Sequence, residues 1–425
     1  MEIQQIHEQF LANPIVCTDT RKITKGCIFF ALKGINFNGN KYASQALEKG
    51  ACLAIVDEQE FAISNQYILV ADVLKTLQEL AQYHRKQSKA QIIGLTGSNG
   101  KTTTKELIHS VISKKYKTIA TKGNLNNHIG VPLTLLSIKE DTEMAIIEMG
   151  ANHQKEIEFL CSIAQPDFGY ITNFGKAHLE GFGGVEGIIK GKSELYQYLT
   201  ENKKSVFLNA DDPIQLNKLE SYIKKYGFST QNKDYYIIDF LGASPFVRLQ
   251  LENLKIQTNL IGSYNFTNCA AAALIGKYFN VLPEKIKEAL EEYIPNNNRS
   301  QILEKGDRQI ILDAYNANPT SMKAALENFQ QMAGDTKIVF LGDMFELGES
   351  AKKEHQEIAD LVKEMNFQQS FLVGENFATT NTNIHQFRTF DSLSENWPTL
   401  KLAENCLILI KGSRGMALER ILDLL

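Results

Sequence analysis

The chain has 425 residues, too many for one hydrophobic core, and its length indicates two or three domains. A formal net charge of -4 and an isoelectric point near 6.1 argue against a nucleic-acid surface or an anionic membrane patch. The N-terminus lacks a basic start followed by an apolar core, no apolar run approaches membrane length, and the six scattered cysteines show no zinc or disulfide spacing. We expect a cytoplasmic monomer that binds no nucleic acid and is not inserted in a membrane.

Residues 1–90 mix short apolar strands with helical stretches, which is typical of a small α/β domain. The predicted strands lie at 28–32, 52–56 and 67–70, and the predicted helices at 43–49 and 72–87. Two polar clusters, residues 18–21 and 33–40, connect these elements. On composition alone, both clusters are typical of turns that connect strands and helices.

The segment around which the chain is organised, residues 91–106, reads QIIGLTGSNGKTTTKE. It predicts a buried parallel strand over 91–95, a turn, and a helix that opens at Lys101. Glycines let such a turn fold closely around a polyphosphate, so that N–H groups and the helix N-terminus face the anion. Lys101 would reach the outer phosphates, and the Thr102 hydroxyl would ligate Mg²⁺. The general phosphate-loop spacing asks for a glycine at Leu95, so a glycine-rich turn without a ligand stays an alternative.

Strands and helices alternate from residue 91 to about 295, which indicates a parallel sheet covered on both faces with ligands at the C-terminal strand ends. Residues 234–260 interrupt this alternation with a predicted β-meander. A polar tract at 296–298 suits a hinge, and a second alternation after it predicts a Rossmann-like, doubly wound domain. The predicted domains are 1–90, a central P-loop ATPase-type domain over 91–298, and 299–425.

Two residues that follow predicted strands are candidates for metal chemistry. Glu148 ends the apolar strand 144–148 beside the phosphate loop, where a carboxylate can hold Mg²⁺ directly or through water, although a lone glutamate at a strand end is usually solvated. His178 follows the strand at 168–172 and could add an imidazole, although a lone histidine is more often an ordinary hydrogen-bonded residue.

Other polar residues allow two interpretations each. Lys190, Lys192 and Glu194 share a helix, and charges at that spacing ordinarily mark a solvent face. Asn265 and Asn268 surround a helix start, where they could cap the helix or hydrogen-bond an adenine edge.

In the third domain, residues 313–321 leave a strand for a helix with more polar groups than a mere connection needs. Residues 411–414, KGSR, form a basic turn of the same strand-to-helix type, which suits an anion such as a carboxylate.

Taken together, these segments resemble the Mur ligase family, the ATP-dependent amide-bond ligases of bacterial peptidoglycan synthesis. TGSNGKTTT resembles that family's own phosphate loop, which explains why Leu95 stands where the general spacing asks for glycine. The other similar segments cover all three domains and are GNLNNHIGVPLTLL, EMGANHQKEI, ITNFGKAHLEGFG, DAYNANPTSM, LGDMFELGE and KGSRGMALE. Within the family they resemble the branch whose substrates are UDP-N-acetylmuramoyl-tripeptide and D-alanyl-D-alanine.

The resemblance implies a role for each matching position. It implies that the UDP-sugar is bound by Thr18, Asp19, Thr20, Arg21, Lys33, Gly34, Asn36 and Phe37. It implies that ATP is bound by Thr96, Gly97, Ser98, Asn99, Gly100, Lys101, Thr102, Thr103, Asn265, Asn268, Arg299, Asp313, Asn316 and Asn318. It implies that metal is held by Thr102, Glu148 and His178, and that the catalytic residues are Lys101, Glu148, His178, Lys192 and Arg299. Lys192 aligns with a lysine that is carbamylated in related ligases. Tyr264 stands where many relatives carry histidine.

The implied reaction consumes ATP with Mg²⁺, passes through an acyl phosphate, and needs water excluded by closure of the third domain. The nearest alternative is the relative that adds diaminopimelate or lysine, although the Asp-Asn-Pro-Arg tetrapeptide typical of its diaminopimelate-specific form is absent. A folylpolyglutamate synthase would lack a domain like residues 1–90. From other classes, a P-loop ATPase acting as a conformational switch and a non-catalytic sugar-nucleotide binding protein stay open.

Overall fold

The computed structural model describes residues 2–296, 298–334 and 336–425, so Asn297 of the predicted hinge lies outside the described residues. Three α/β units follow one another along the chain, each built on its own mainly parallel sheet. The predicted three-domain α/β architecture is confirmed, whereas the boundaries at 90 and 298 stay predictions. No helix in the described part of the chain is long and apolar enough to cross a membrane.

The first unit has four parallel strands in the order β1-β2-β5-β6 and a small antiparallel hairpin, β3-β4. Its strands are β1 Val16–Cys17, β2 Ile28–Phe30, β3 Lys33–Gly34, β4 Phe37–Asn38, β5 Leu53–Val56 and β6 Tyr67–Leu69. Its helices are α1 Ile3–Ala12, α2 Ala43–Glu48 and α3 Val73–Gln87. The sequence patterns predict α2 and α3 but not α1.

Helix α3 connects the first unit to the second. Asp72 caps it by accepting a hydrogen bond from the Lys75 N–H at 2.8 Å, and its buried side chains recur at helical spacing. At its other end, Arg85 donates to the Ala164 and Gln165 carbonyls and forms an ion pair with Asp167 at 2.7 Å. The hydrophobic cluster that contains the buried face of α3 continues into the second unit, and it also includes residues of the third unit such as Phe329.

The second unit has a nine-stranded sheet in the order β15-β14-β13-β12-β11-β10-β7-β9-β8. Its strands are β7 Gln91–Thr96, β8 Thr118–Ala120, β9 Met144–Glu148, β10 Phe168–Ile171, β11 Ser205–Asn209, β12 Lys225–Ser229, β13 Tyr236–Ala243, β14 Phe246–Leu251 and β15 Leu254–Ile261. Strands β7 to β13 pair in parallel, and β13, β14 and β15 pair antiparallel. The predicted meander is present as β13, β14 and β15, and its strands extend the parallel sheet.

The helices of the second unit cover both faces of this sheet. They are α4 Lys101–Ile112, α5 Gly130–Leu135, α6 Glu156–Ala164, α7 Leu179–Phe182, α8 Val185–Glu201, α9 Pro213–Lys218, α10 Asn265–Tyr278 and α11 Pro283–Glu292. Strands β7, β9 and β10 lie side by side, so their C-terminal ends bring the phosphate loop, Glu148 and the segment before His178 to one edge.

The third unit has six strands in the order β16-β17-β21-β18-β19-β20, all parallel except β16. Its strands are β16 Gln301–Lys305, β17 Arg308–Asp313, β18 Lys337–Gly342, β19 Gln369–Val373, β20 His385–Phe387 and β21 Leu407–Lys411. Its helices are α12 Pro319–Gln331, α13 Ala351–Met365, α14 Phe390–Asn396 and α15 Ile421–Leu424. Its polar loops after β17 and β18 contact the second unit.

Candidate active site

The loop between β7 and α4 has the backbone geometry that phosphate binding requires. Gly97 and Gly100 have φ angles of 141° and 78°, in the left-handed region that favours glycine. A Cβ at Gly97 would collide with the Thr172 hydroxyl, so the loop lies directly against the segment after β10. The Ser98 N–H donates to the Asn173 carbonyl at 3.0 Å, which fixes the loop from outside. Helix α4 thus starts at an ordered, glycine-containing turn.

Lys101 is folded back over this loop. Its Nζ donates to the Gly97 carbonyl at 2.7 Å and to the Ser98 carbonyl at 3.1 Å. Burial lowers the pKa of Lys101 to about 8, against the opposing effect of the Glu148 carboxylate. Two buried polar atoms of the loop, Ser98 Oγ and Asn99 Nδ2, have no hydrogen-bond partner within the protein. Buried polar groups are normally paired, so a loop without a ligand fits poorly.

Glu148 is buried beside the start of α4, so the alternative of an ordinary solvated glutamate is excluded. It is 1% exposed, and its Oε1 accepts hydrogen bonds from Asn126 Nδ2 at 2.8 Å and Thr102 Oγ1 at 3.3 Å. Its Oε2 is buried without a hydrogen-bond partner. A hydroxyl oxygen and a free carboxylate oxygen side by side are ligands that Mg²⁺ prefers.

The described residues contain no group of three or more His, Cys, Asp or Glu side chains that could hold a metal ion. Magnesium usually takes only one or two carboxylates from the protein and fills its other positions with water and phosphate. The pair of Thr102 and Glu148 therefore fits such an ion only when a phosphate shares it.

His178 reaches the same cavity from the N-terminal end of α7, where its φ is 55°. Its Nδ1 forms an ion pair with Glu346 of the third unit. The contact with His178 lowers the pKa of Glu346. His178 thus lies between the second and third units, and its role as a metal ligand stays a prediction.

Lys192 is fully buried in α8, so the expectation of a solvent face is wrong at this position. Its Nζ donates to the Ala151 carbonyl at 3.0 Å and lies 4.8 Å from the centre of the Phe182 ring. Burial, together with the positive charge of Lys101, holds the pKa of Lys192 well below its usual range. Glu194 is also buried because its carboxylate accepts hydrogen bonds from the N–H groups of residues 155 and 158. Of the three charged residues, Lys190 alone is exposed.

Asn265 and Asn268 are buried in the first turn of α10, and the expectation that they cap this helix is wrong. The N-cap is Tyr264, whose side chain makes no capping bond. Asn268 Oδ1 accepts from Thr104 Oγ1 at 3.0 Å, and Asn268 Nδ2 donates to Asn265 Oδ1 at 2.7 Å. The two amides connect α10 to α4 at the cavity wall, and their contact with adenine stays a prediction.

The third unit contributes positive charge and a helix terminus. The Arg299 guanidinium stacks 3.9 Å from the centre of the Tyr315 ring, and its Nε is buried without a hydrogen-bond partner. Lys411 is buried and forms an ion pair with Asp313 at 2.5 Å. Asn318 caps α12, and its Nδ2 donates to Asn99 Oδ1 at 2.7 Å. The two units therefore meet at the phosphate loop.

These residues surround one cavity of about 830 Å³. The predicted site residues that line it are Ser98, Asn99, Gly100, Lys101, Thr102, Thr103, Glu148, His178, Asn265, Asn268, Arg299, Asp313, Asn316 and Asn318. Thr96, Gly97 and Lys192 are not among the lining residues. Lys411, the first residue of the turn predicted to suit an anion, lines the cavity as well. Asn126 and Tyr315 line it too, although the sequence patterns assign neither residue a role of its own. The polar run at 124–128 is the signal that could have identified Asn126.

The eight residues predicted to bind the UDP-sugar lie outside this cavity, in the first unit. Arg21 forms an exposed ion pair with Asp19 at 2.7 Å, and Lys33 contacts Asp57 and Glu58, each at 2.9 Å. Phe37 packs on Gly34 in the β3-β4 hairpin and is 56% exposed. An exposed aromatic ring beside basic groups could hold a nucleotide, but the role of these residues stays a prediction.

Comparison with known proteins gives matches in all three units. The Mur ligase family catalytic domain matches residues 14–85, the Mur ligase middle domain matches 95–276, and the Mur ligase glutamate ligase domain matches 298–414. The UDP-N-acetylmuramoyl-tripeptide--D-alanyl-D-alanine ligase of Bacillus subtilis is 35% identical over 420 residues, covering 96% of this chain and 92% of that protein. The ligase of the same name from Escherichia coli is 34% identical with the same coverage.

Solved structures resemble the whole chain as well. MurF from Acinetobacter baumannii superposes with a TM-score of 0.84 at 31% identity, over 96% of this chain and 92% of that one. A MurF ligase from Thermotoga maritima, solved in complex with ADP, superposes with a TM-score of 0.85 at 25% identity over 97% of both chains.

Proposed function

This chain belongs to the Mur ligase family, and we propose that it joins D-alanyl-D-alanine to UDP-N-acetylmuramoyl-tripeptide, using ATP, in cytoplasmic peptidoglycan precursor synthesis. It is an ATP-dependent amide-forming ligase. The observation that carries the proposal is that the phosphate loop, Glu148 and the basic residues of the third unit all line one cavity. A relative solved with ADP supports nucleotide binding in this fold.

The first chemical task is to bring an anionic carboxylate to an anionic triphosphate. Lys101 and Arg299 both line the cavity, one from each unit, and their positive charges would offset the repulsion. Thr102 and Glu148, with His178 as the predicted third ligand, would hold Mg²⁺. Mg²⁺ held there would supply positive charge against the charge that develops on the phosphate oxygens.

The proposed reaction has two steps. A carboxylate oxygen of the tripeptide attacks the γ-phosphorus of ATP, and the bond from that phosphorus to ADP breaks. The dipeptide amine, after losing its ammonium proton, then attacks the acyl carbon, and inorganic phosphate leaves as the amide forms. The protein contributes position and charge, because a carboxylate is a poor acyl donor until it is phosphorylated.

An acyl phosphate hydrolyses, so the site must exclude water during the reaction. Contacts between the second and third units would serve this purpose. Lys176 forms an ion pair with Glu354 at 2.7 Å, its N–H donates to Thr320 Oγ1 at 2.9 Å, and Asn318 contacts Asn99. These contacts bring the third unit over the phosphate loop.

We assign Lys192 a role through its carbamate. Burial holds the pKa of the Lys192 amine well below its usual range, which favours the neutral form, and a neutral amine adds CO₂ by forming an N–C bond and releasing a proton. The product would be an anion beside the Ala151 carbonyl and the Phe182 ring. ¹³C nuclear magnetic resonance under ¹³CO₂ should give one carbamate signal that is absent from Lys192→Met.

The UDP end of the substrate would be held by the first unit, through Thr18, Asp19, Thr20, Arg21, Lys33, Gly34, Asn36 and Phe37. The hydrophobic cluster that continues from the first unit into the second gives this end a fixed position relative to the cavity. The peptide acid could then extend from the first unit to the γ-phosphate.

A phosphate-release assay with all combinations of substrates tests the proposal. Purified protein, ATP and Mg²⁺ should release phosphate only when both UDP-N-acetylmuramoyl-tripeptide and D-alanyl-D-alanine are present. Both the lysine and the diaminopimelate tripeptides should be supplied. Release with the UDP-dipeptide and a free diamino acid would indicate the other family activity, and release without any acceptor would indicate an ATPase switch. Either result overturns the proposal.

A further inference from the structure

The amide of Asn318 has only one possible orientation. Its Oδ1 accepts the hydrogen bond from the Ser321 N–H at 2.9 Å that caps α12, and a backbone N–H can only donate. Its Nδ2 must therefore point the other way, and there it donates to Asn99 Oδ1 at 2.7 Å. Asn318 is 6% exposed, so solvent offers this amide little alternative.

The orientation of Asn318 determines that of Asn99. Because Asn99 Oδ1 accepts from Asn318, the remaining polar atom of the Asn99 side chain is the donor Nδ2. This Nδ2 is buried without a hydrogen-bond partner, although Asn99 lines the cavity. The backbone of Asn99 is already held, since its carbonyl accepts from Thr172 Oγ1 at 2.6 Å and from Asn173 Nδ2 at 3.0 Å.

Space for the free donor is provided by a glycine. A Cβ at Gly175 would lie 2.8 Å from Asn99 Nδ2, closer than carbon and nitrogen normally approach. The loop after β10 thus lies directly beside the Asn99 amide, and position 175 has no side chain that would crowd its nitrogen.

We propose that Asn318 is a positioning residue that turns the Asn99 amide so that the phosphate loop presents a hydrogen-bond donor, and not an acceptor, to the triphosphate. The donor is set only when the third unit docks, because Asn318 belongs to the third unit and Asn99 to the second. Asn318 therefore does three things at once: it caps α12, it joins the third unit to the second, and it determines which atom of the Asn99 amide the phosphate site presents. This inference rests on the proposed function, since it assigns the ligand as ATP.

The substitution Asn318→Asp separates positioning from capping. Aspartate caps a helix as well as asparagine does, so α12 keeps its cap. The second carboxylate oxygen cannot donate to Asn99 Oδ1, so the Asn99 amide turns over, donates to Asp and presents its oxygen to the triphosphate. We expect kcat/KM for ATP to fall about 100-fold, as on loss of one donor to a developing anion, with KM for the UDP-substrate changed less than about twofold. Asn396→Asp, the same change at an exposed position of the third unit, is the matched control.

A double-mutant cycle distinguishes positioning from direct contact with ATP. If Asn318 acts only through Asn99, then Asn99→Ala with Asn318→Ala loses no more activity than Asn99→Ala alone. If Asn318 contacts ATP itself, the two losses multiply, and the proposal is overturned. Wild-type activity of Asn318→Asp would equally overturn it, because a residue that only caps α12 tolerates aspartate.

Asn99→Asp keeps the test decisive should Asn318→Asp fail to fold. It retains the acceptor for Asn318 but replaces the donor by an oxygen, so it should be less active than Asn99→Ala. Equal or higher activity contradicts the proposal. Ligation by the wild-type protein is measured first: its failure refutes the proposed function, whereas normal ligation in wild type and in Asn318→Asp refutes only the positioning role.

Discussion

Replacing Lys192 by methionine should stabilise the fold and impair ligation. Lys192 is fully buried, its Nζ makes one hydrogen bond to the Ala151 carbonyl, and burial holds its pKa well below the usual 10.5. In the unfolded chain the same amine takes up a proton freely. Unfolding is therefore favoured by the protonation of this side chain.

The size of the effect follows from two opposing contributions. Each pKa unit by which the folded state suppresses protonation costs about 1.4 kcal/mol of stability, whereas the lost hydrogen bond to Ala151 costs about 1 kcal/mol. Methionine fills a similar volume without a polar atom. A pKa depression of more than about one unit therefore outweighs the lost hydrogen bond. We expect Lys192→Met to raise the free energy of unfolding near pH 7, and to lower kcat about 100-fold through loss of the proposed carbamate.

Urea unfolding in CO₂-free buffer at several pH values measures the first part, and the phosphate-release assay measures the second. Because the folded-state pKa is depressed, wild-type stability rises with pH from that pKa up to about 10.5. The advantage of Lys192→Met should therefore shrink as the pH rises.

Lys105→Met is the matched control. Lys105 is also buried in the second unit, but its Nζ donates to the Thr121 carbonyl at 2.7 Å and lies 3.8 Å from Glu106. Removing this amine should destabilise the fold by about 2 kcal/mol, since it leaves a buried acceptor without its donor. A loss of stability in Lys192→Met similar to that in Lys105→Met, or an advantage that grows with pH, would refute the reasoning.

Three further predictions concern separate parts of the molecule. Lys101→Ala should abolish ligation but leave binding of the UDP-substrate, measured by titration calorimetry, largely intact. Equal loss of both would contradict the proposal that the first unit binds the UDP-substrate and the second unit binds ATP. Acidification from pH 7 to 5.5 should lower the free energy of unfolding, because burial lowers the pKa of both His7 and His84 and the unfolded state therefore binds protons that the folded state rejects. The free energy of unfolding should depend less steeply on pH in His84→Gln. A wild-type protein that becomes more stable on acidification would contradict this prediction. Glu194→Gln should cost about 1 to 2 kcal/mol by weakening the cap of α6, and an unchanged melting temperature would show that the cap contributes nothing.

Local patterns carry much of the fold. The strand, turn and helix at β7 and α4, the strand that ends at Glu148 and the helix α11 follow from apolar runs, glycines and start signals that lie within a few residues of one another. Because parallel strand ends meet at one edge, the same patterns predict which loops share the cavity. Helix α1 was not predicted, although Ile3, Ile6 and Phe10 recur in it at helical spacing. A strand as short as β20 lacks a clear period, and the continuation of the sheet through β14 and β15 depends on pairing that one segment cannot specify.

Side-chain environments were predicted less well, because they depend on contacts between distant segments. Lys192 has the sequence context of a surface residue, yet α7 and the segment before α6 cover it. His178 meets Glu346 168 residues away in sequence, and the Asn99 amide is oriented by a residue 219 positions further on. Sequence spacing cannot predict that two such distant residues contact each other. Similarity to a known family identifies the site residues, but it does not identify the residues that they contact.

Transfer of oxygen tests the central claim most directly, namely that the peptide acid attacks the triphosphate within one cavity. UDP-N-acetylmuramoyl-tripeptide labelled with ¹⁸O in both oxygens of its terminal carboxylate would be ligated to D-alanyl-D-alanine, and the released phosphate analysed by mass spectrometry. An acyl phosphate intermediate predicts one ¹⁸O in each phosphate and one in each new amide. Phosphate without label, at the same extent of ligation, would contradict the account.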